Sequence, residues 1–332
     1  MSTSSSEGST PTGAADRNAV TVPGVGPTAV DVRSGLPLAV LSAASFGLSG
    51  SLAASLMLVG WTAGAAVTVR VVIAAVVLVV PGLRAIGGDW SILRRRAPTI
   101  VAYGVLAVAA TQLCFFYAVE RLPVGVALLV EYTAPIAVVV WTWLVHHHRP
   151  SGLTVLGAAI AVCGLPLLLD ARAAVSSGDG VDVVGVGWAL AAMVGAAAYF
   201  VMSADHSTGL PPITLAAAGL VVGAVVLGTA GLAGVLPLSM STDGVPYRGV
   251  AVPWWLPVLV LGLVTAALAY VSGIAATRRL GPRLASFVAL SEVLAAITFA
   301  WLLLGQVPLP VQLLGAGVVL CGVVVVRLGE RT

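Results

Sequence analysis

Ten apolar runs, each about as long as a helix needs to cross a lipid bilayer, divide this 332-residue chain. They cover approximately 37–58, 62–82, 98–118, 122–145, 151–169, 184–204, 212–235, 253–275, 281–303 and 308–327. A hydrocarbon core of about 30 Å takes roughly 20 helical residues to cross. The runs are too long and too uniformly apolar for the alternating strands of a barrel, so helices are the only spanning structure they allow. Only 9% of the residues are charged and 59% are hydrophobic, against roughly 25% charged in an average soluble domain. A water-soluble chain of this length could not cover its surface with so little charge. The expected fold is an all-α membrane protein with ten transmembrane helices.

The chain also repeats itself. At an offset of 158 residues the pairs Gly104/Gly262, Ala118/Ala276, Arg121/Arg279, Leu122/Leu280, Ala127/Ala285, Trp143/Trp301, Leu144/Leu302, Pro150/Pro308, Gly157/Gly315, Cys163/Cys321 and Gly164/Gly322 match. Chance produces matches in so biased a composition, but not Trp, Cys, Pro and Arg pairs in one register. At an offset of 149, Val76, Val77 and Leu78 fall on Val225, Val226 and Leu227, which brings the second spans into correspondence. Each copy then holds five helices. Five is odd, so the second copy enters the membrane from the opposite side and the halves form an inverted repeat. The expected organisation is a disordered cytoplasmic tail at 1–34, a first five-helix repeat at 35–170 and an extracytoplasmic linker at 171–183. A second repeat at 184–328 and a short cytoplasmic tail at 329–332 follow.

The arginines give an independent check. All sixteen basic residues are Arg, and orientation follows basic residues in short loops. With the N-terminus inside, twelve of them fall on inside segments (Arg17, Arg33, Arg84, Arg94, Arg95, Arg96, Arg149, Arg278, Arg279, Arg283, Arg327 and Arg331) and three, Arg121, Arg172 and Arg248, fall outside. Both termini are therefore expected in the cytoplasm, in a multi-pass protein of the cytoplasmic membrane. The segment up to about Ser34 is rich in Ser, Thr, Gly and Pro and lacks the basic start of a signal peptide. Cys114, Cys163 and Cys321 each lie in an apolar run, where a free thiol acts as a small hydrophobe, and no disulfide framework is expected.

Three ionisable side chains stand at membrane depth: Arg70 in span 2, Glu131 in span 4 and Glu292 in span 9. Each costs roughly 2.5–3.5 kcal/mol to insert, so each calls for a use. Pro135 has no N–H to close the helical bond to the Glu131 carbonyl, which makes it the expected hinge of span 4. Arg70 suits an anionic group gripped bidentately, or else an ion pair with Glu131. Glu292 suits an amine or a proton relay, or else a protonated acid bonded to a neighbouring helix. Gln112, its repeat counterpart Tyr270, and Tyr103, Tyr132, Tyr199 and Ser291 are the weaker polar groups that could line the same pocket. A buried Tyr or Gln more often bonds another helix than a ligand.

The run His146-His147-His148 points in three directions around a helix and does not make a metal site, and neither metal nor cofactor is expected. Trp61, Trp254 and Trp255 fit anchoring at the membrane interface. Inverted repeats recur in secondary transporters, whose substrate sites lie near the midplane between the halves. The partners implied are a small-molecule substrate, the lipid bilayer and protons as the candidate coupling ion. No nucleic-acid partner is indicated, and no nucleotide-phosphate motif points to ATP coupling. The alternatives are a passive facilitator and, further off, an intramembrane enzyme on lipid-linked substrates, for which no catalytic constellation assembles.

Over about 37 to 327 the chain resembles the EamA group of the drug/metabolite transporter superfamily, the ten-helix permeases. The resemblance rests on the duplicated unit, on Arg70, on Glu-Tyr-Thr-Ala-Pro at 131 to 135, and on Ser291-Glu292-Val293 followed by Trp301-Leu302-Leu303-Leu304-Gly305-Gln306 and Leu-Leu-Gly-Ala-Gly at 313 to 317. Members typically read Glu-Pro and Gly-Glu where this chain has Glu292-Val293 and Gly305-Gln306. The span 4 stretch is similar to that of the threonine/homoserine exporter branch, which implies efflux of an amino acid or related metabolite and no enzymatic activity.

Overall fold

The computed structural model describes residues 32–134, 151–168, 182–205, 208–289 and 291–329. Eleven helices and one hairpin are found among them: α1 Val32–Leu58, α2 Ala63–Arg84, the short α3 Trp90–Arg95, α4 Ala97–Val119, α5 Val124–Glu131, α6 Gly152–Leu168, α7 Val183–Ala204 and α8 Pro212–Leu232. Strands β1 Val245–Tyr247 and β2 Val250–Val252 pair antiparallel. Then come α9 over 255–289, α10 Ser291–Leu304 and α11 Pro310–Gly329.

Among the described residues six helices are long and apolar enough to cross a membrane: α1, α2, α4, α7, α8 and the 255–280 part of α9. The apolar parts of α6, α10 and α11 are shorter. The fourth expected span is described only as far as Ala134. Large apolar side chains cover the outside, with Val76 at 67%, Val194 at 61% and Leu294 at 61% exposure. That is the reverse of a soluble surface and matches lipid as solvent.

Helix contacts repeat the duplication seen in the sequence. Exchanging the helices of one copy for their counterparts turns α1 into α7, α2 into α8, α4 into α9, α5 into α10 and α6 into α11. Under that exchange the contact of α1 with α9 becomes that of α7 with α4, and α1 on α10 becomes α7 on α5. The pairs α2 with α8, α5 with α10 and α6 with α11 map onto themselves. Each self-mapping pair must straddle the axis that relates the copies.

The loops show which way the helices run. Thr62 N donates to Ser239 O at 3.1 Å and Thr62 Oγ1 to Pro237 O at 2.7 Å. Glu120 Oε1 accepts from Ala63 N at 3.1 Å, and Arg121 pairs with Asp182 at 3.5 Å. Segments 59–62, 120–123, 182 and 236–252 therefore share one end of the molecule. At the other end Thr214 Oγ1 donates to Gly82 O at 2.8 Å, Arg278 Nη1 donates to Leu210 O, and Gly35 stands against Leu280. Thus α7 starts at the end where α1 finishes. Asp182 caps α7; the Gly185 N–H it accepts, and then Arg121, hold its carboxyl below the usual range.

Three expectations change. The apolar runs ended at 275 and resumed at 281, yet α9 stays helical to Ala289, because hydropathy marks where lipid ends and not where backbone hydrogen bonding ends. For the same reason α1 begins at Val32, ahead of the apolar run, with Arg33 exposed. Trp61 is only 4% exposed and donates through Nε1 to Ser241 O at 2.8 Å. It is a clasp under the 236–252 segment, not a free interfacial anchor. That segment holds the β-hairpin, whose turn residues Arg248 (φ 48°) and Gly249 (φ 87°) both take the left-handed conformation that a two-residue hairpin needs. Tyr247 joins it to α1 through Ser55 Oγ at 2.6 Å.

Candidate functional site

A cavity opens between the two copies, with about 910 Å³ of empty volume counting the open space at its mouth. Its walls come from equivalent helices of both copies: α1, α4 and α5 of the first, and α7, α9 and α10 of the second. Six of the expected site residues line it, namely Gln112, Glu131, Tyr132, Tyr199, Tyr270 and Glu292.

Both acids reach the cavity from helix ends. Glu131 closes the described part of α5, where the chain turns at Tyr132 and Thr133. Among the described residues no hydrogen bond or ion pair engages its carboxylate. Glu292 lies in the first turn of α10 and accepts at Oε2 from Tyr132 Oη at 2.5 Å, which ties α5 to α10. None of the described lining residues is basic.

Arg70, Tyr103 and Ser291 are not on the cavity wall. Arg70 is 0% exposed; Nη1 donates to Gln112 Oε1, Nη2 donates to Thr265 O, and the guanidinium stands 5.5 Å from the centre of the Phe116 ring. It forms no ion pair with Glu131, although both acids lie within electrostatic range of it. Tyr103, also 0% exposed, meets Ser203 Oγ at 3.4 Å. Ser291 Oγ donates back to Val288 O at 2.7 Å, from the start of α10 to the last turn of α9. Pro135 and His146 to His148 lie outside the described residues. Among the described residues no three His, Cys, Asp or Glu side chains gather as a metal cluster.

At the cavity wall the two copies touch at equivalent residues. Gln112 Nε2 donates to Tyr270 Oη at 3.1 Å, and these positions are 158 residues apart, the repeat offset itself. Counterparts related by a two-fold axis can meet only close to that axis. Tyr270 Oη in turn donates to Ala107 O at 3.0 Å, while Arg70 donates to Thr265 O, the counterpart of Ala107 in the second copy. Both carbonyls belong to π-helical stretches, Tyr103–Ala110 in α4 and Leu263–Leu268 in α9. A π-bulge displaces carbonyls from the regular ladder and often marks a functional position. Here each copy offers one such carbonyl to a buried polar side chain at the centre of the protein.

Sequence reasoning missed much of the cavity: Ser42, Phe46 and Ser49 on α1, Thr111 and Phe115 on α4, Phe200 on α7, and Gly273 and Thr277 on α9. One signal was available. Ser42, Ser45 and Ser49 recur at helical spacing in an otherwise apolar span and all three are buried. The aromatic wall carried no such signal, since Phe46 is indistinguishable by type from a lipid-facing residue.

The chain matches the family model of the EamA-like transporters twice, over residues 33–169 and 183–328. It belongs to the EamA-like transporter family, a family of small-molecule membrane transporters within the drug/metabolite transporter superfamily. A crystal structure described only as that of a protein is similar to it with a TM-score of 0.60 and 20% identity, covering 89% of this chain and 98% of that one, a likeness of fold alone. No curated protein matches the chain.

Proposed function

We propose that the protein is a secondary transporter that exports a small polar metabolite, such as an amino acid or a derivative, by alternating access. The observation that carries this reading is the cavity between the copies, where Glu131 and Glu292 stand at the junction with no basic residue among the described lining. Two five-helix repeats of opposite orientation, ten spans in all, would rock about the axis on which Gln112 meets Tyr270. The site consists of Glu131, Glu292, Tyr132, Gln112, Tyr270 and Tyr199. Arg70 and Tyr103 position it from behind, Ser291 shapes the turn before Glu292, and Pro135 is the hinge of span 4.

The distribution of charge supports an orientation in the cytoplasmic membrane. The end that gathers the starts of α1 and α8 carries Arg84, Arg94, Arg95, Arg96, Arg278 and Arg279, while the end with the β-hairpin carries Arg121 and Arg248. By the positive-inside rule the first end is cytoplasmic, with both termini. Protons are the proposed coupling ion.

Solute flux in proteoliposomes tests the reading. The wild-type chain is expected to move amino acids or their derivatives, and Glu131→Gln to cut that flux by at least about tenfold. Normal flux in both Glu131→Gln and Glu292→Gln would discard the site. Collapse of the proton gradient is expected to stop uphill movement; flux indifferent to it would identify a passive facilitator instead.

Gly273 supplies a second test. A Cβ at this position would lie 2.5 Å from Tyr199 Oη and 2.7 Å from Ser42 Oγ, so only glycine lets both hydroxyls face the wall here. Gly273→Ala is expected to displace the Tyr199 ring and to lower flux per folded molecule several-fold, with little change in unfolding temperature. Unaltered flux would mean that Tyr199 takes no part in the path.

A further inference from the structure

The cavity has a charge and a shape that single out one end of its solute. Two carboxylates, Glu131 and Glu292, face it, and no described lining residue carries a positive charge. Glu292 has a neutral partner, the Tyr132 hydroxyl, and Glu131 has none among the described residues. Among the described residues the buried cation nearest the site, Arg70, does not line the cavity, and its two terminal nitrogens are engaged by Gln112 and Thr265 O beside the Phe116 ring. An anionic solute would therefore find no cationic clamp among the described lining residues.

The same cavity wall holds an aromatic corner. Phe46 and Tyr270 lie 5.2 Å apart between centroids at 76°, Tyr199 and Tyr270 5.7 Å apart at 85°, and Phe46 and Tyr199 6.3 Å apart at 81°. The three rings stand nearly perpendicular to one another, and all three residues line the cavity. A ring face is negative, and it holds an ammonium more strongly the less water surrounds it. The Tyr199 hydroxyl is buried and has no hydrogen-bond partner among the described residues, a polar atom left over for a ligand.

We infer that the cavity reads the positive, ammonium end of its solute, which sits between the Glu131 and Glu292 carboxylates and the rings of Phe46, Tyr199 and Tyr270, and that a carboxylate on the solute is dispensable. This rests on the reading of the cavity as the transport site and narrows it to amine-bearing solutes. An ammonium satisfies both the unpaired acid and the ring faces, and Arg70 keeps its structural contacts throughout.

The test uses the full chain in lipid nanodiscs and three forms of each of two amino acids, leucine and threonine: the free zwitterion, the cationic methyl ester, and the anionic N-acetyl derivative, with tetraethylammonium as a fourth probe. Binding is read by titration calorimetry. The ester is expected to bind at least as well as the zwitterion, and the N-acetyl form at least about tenfold more weakly. Glu131→Gln and Phe46→Leu are each expected to weaken ester binding by about tenfold, and Glu131→Asp to restore the preference for the amine. Binding of the N-acetyl form as tight as the ester would overturn the inference. So would a zwitterion bound about tenfold tighter than its ester, or no binding by any of the probes. Flux of the same compounds in proteoliposomes separates this inference from the transporter reading. Amine-selective binding without flux removes the transporter and leaves the site. Flux of N-acetyl forms that equals that of the esters removes the ammonium preference and leaves the transporter.

Discussion

Arg70→Ala is expected to lower the stability of the folded protein by about 2 kcal/mol or more, even though it takes a charge out of the membrane interior. Losing the charge relieves roughly 2.5–3.5 kcal/mol of insertion cost. Against that relief stand the two buried hydrogen bonds that the guanidinium gives, to Gln112 Oε1 and to Thr265 O, at about 1–3 kcal/mol each for bonds to a charged group. To these is added the void left by a large side chain that is 0% exposed, worth another few kcal/mol where neighbours cannot collapse. The ring contact with Phe116 is lost as well. The losses exceed the relief. Arg70→Lys is not expected to restore stability, because one ammonium cannot reach both acceptors as a planar guanidinium does. Thermal unfolding of the purified full chain in detergent measures the effect. An unaltered unfolding temperature in Arg70→Ala would mean that these buried contacts do not hold the helices together.

Gly322→Leu is expected to force α6 and α11 apart and to cost several kcal/mol, with no change in which solutes are carried. A Cβ at Gly322 would sit 2.4 Å from Ala161 N, 2.7 Å from Gly157 O and 2.8 Å from Ala161 Cα. All three are backbone atoms, so no rotamer relieves the overlap and the helices themselves must separate. At its repeat counterpart Gly164 an added Cβ would lie 2.9 Å from Val319 N of α11, so each copy gives one glycine to this crossing. Close approach through small residues is the main way helices associate in lipid, where apolar burial gives no net drive. Even Gly322→Ala is expected to cost about 1–3 kcal/mol, as overpacking does in cores. Neither α6 nor α11 supplies a described residue to the cavity, so the solutes carried per folded molecule should stay as in the wild type. The check is thermal unfolding paired with flux normalised to folded protein. A stable Gly322→Leu protein would refute the contact, and altered solute preference would tie this crossing to the site.

The repeat was the most informative feature of the chain, and its register predicted more than the duplication. Gln112 and Tyr270 were paired by sequence offset alone, and the structure brings that same pair into a hydrogen bond. Of the three charges singled out at membrane depth, Glu131 and Glu292 line the cavity and Arg70 does not. Residue type could not say which way each points. Arg70, Tyr103 and Ser291 have the same chemistry as cavity residues but spend their donors on other partners. Phe46 was invisible because an aromatic facing lipid and one facing a cavity read alike in an apolar run. Helix ends were misread at 275–281 because hydropathy follows solvent and the backbone ladder does not.

Composition and periodicity by themselves determined the solvent, the secondary structure and the two-fold duplication, because the cost of an unpaired backbone group or a charge in lipid depends on residue type and run length alone. Which polar side chains face one another was decided only by tertiary structure. That choice depends on how helices rotate and approach, and here contacts at single glycines such as Gly273 and Gly322, together with two π-helical stretches, set it.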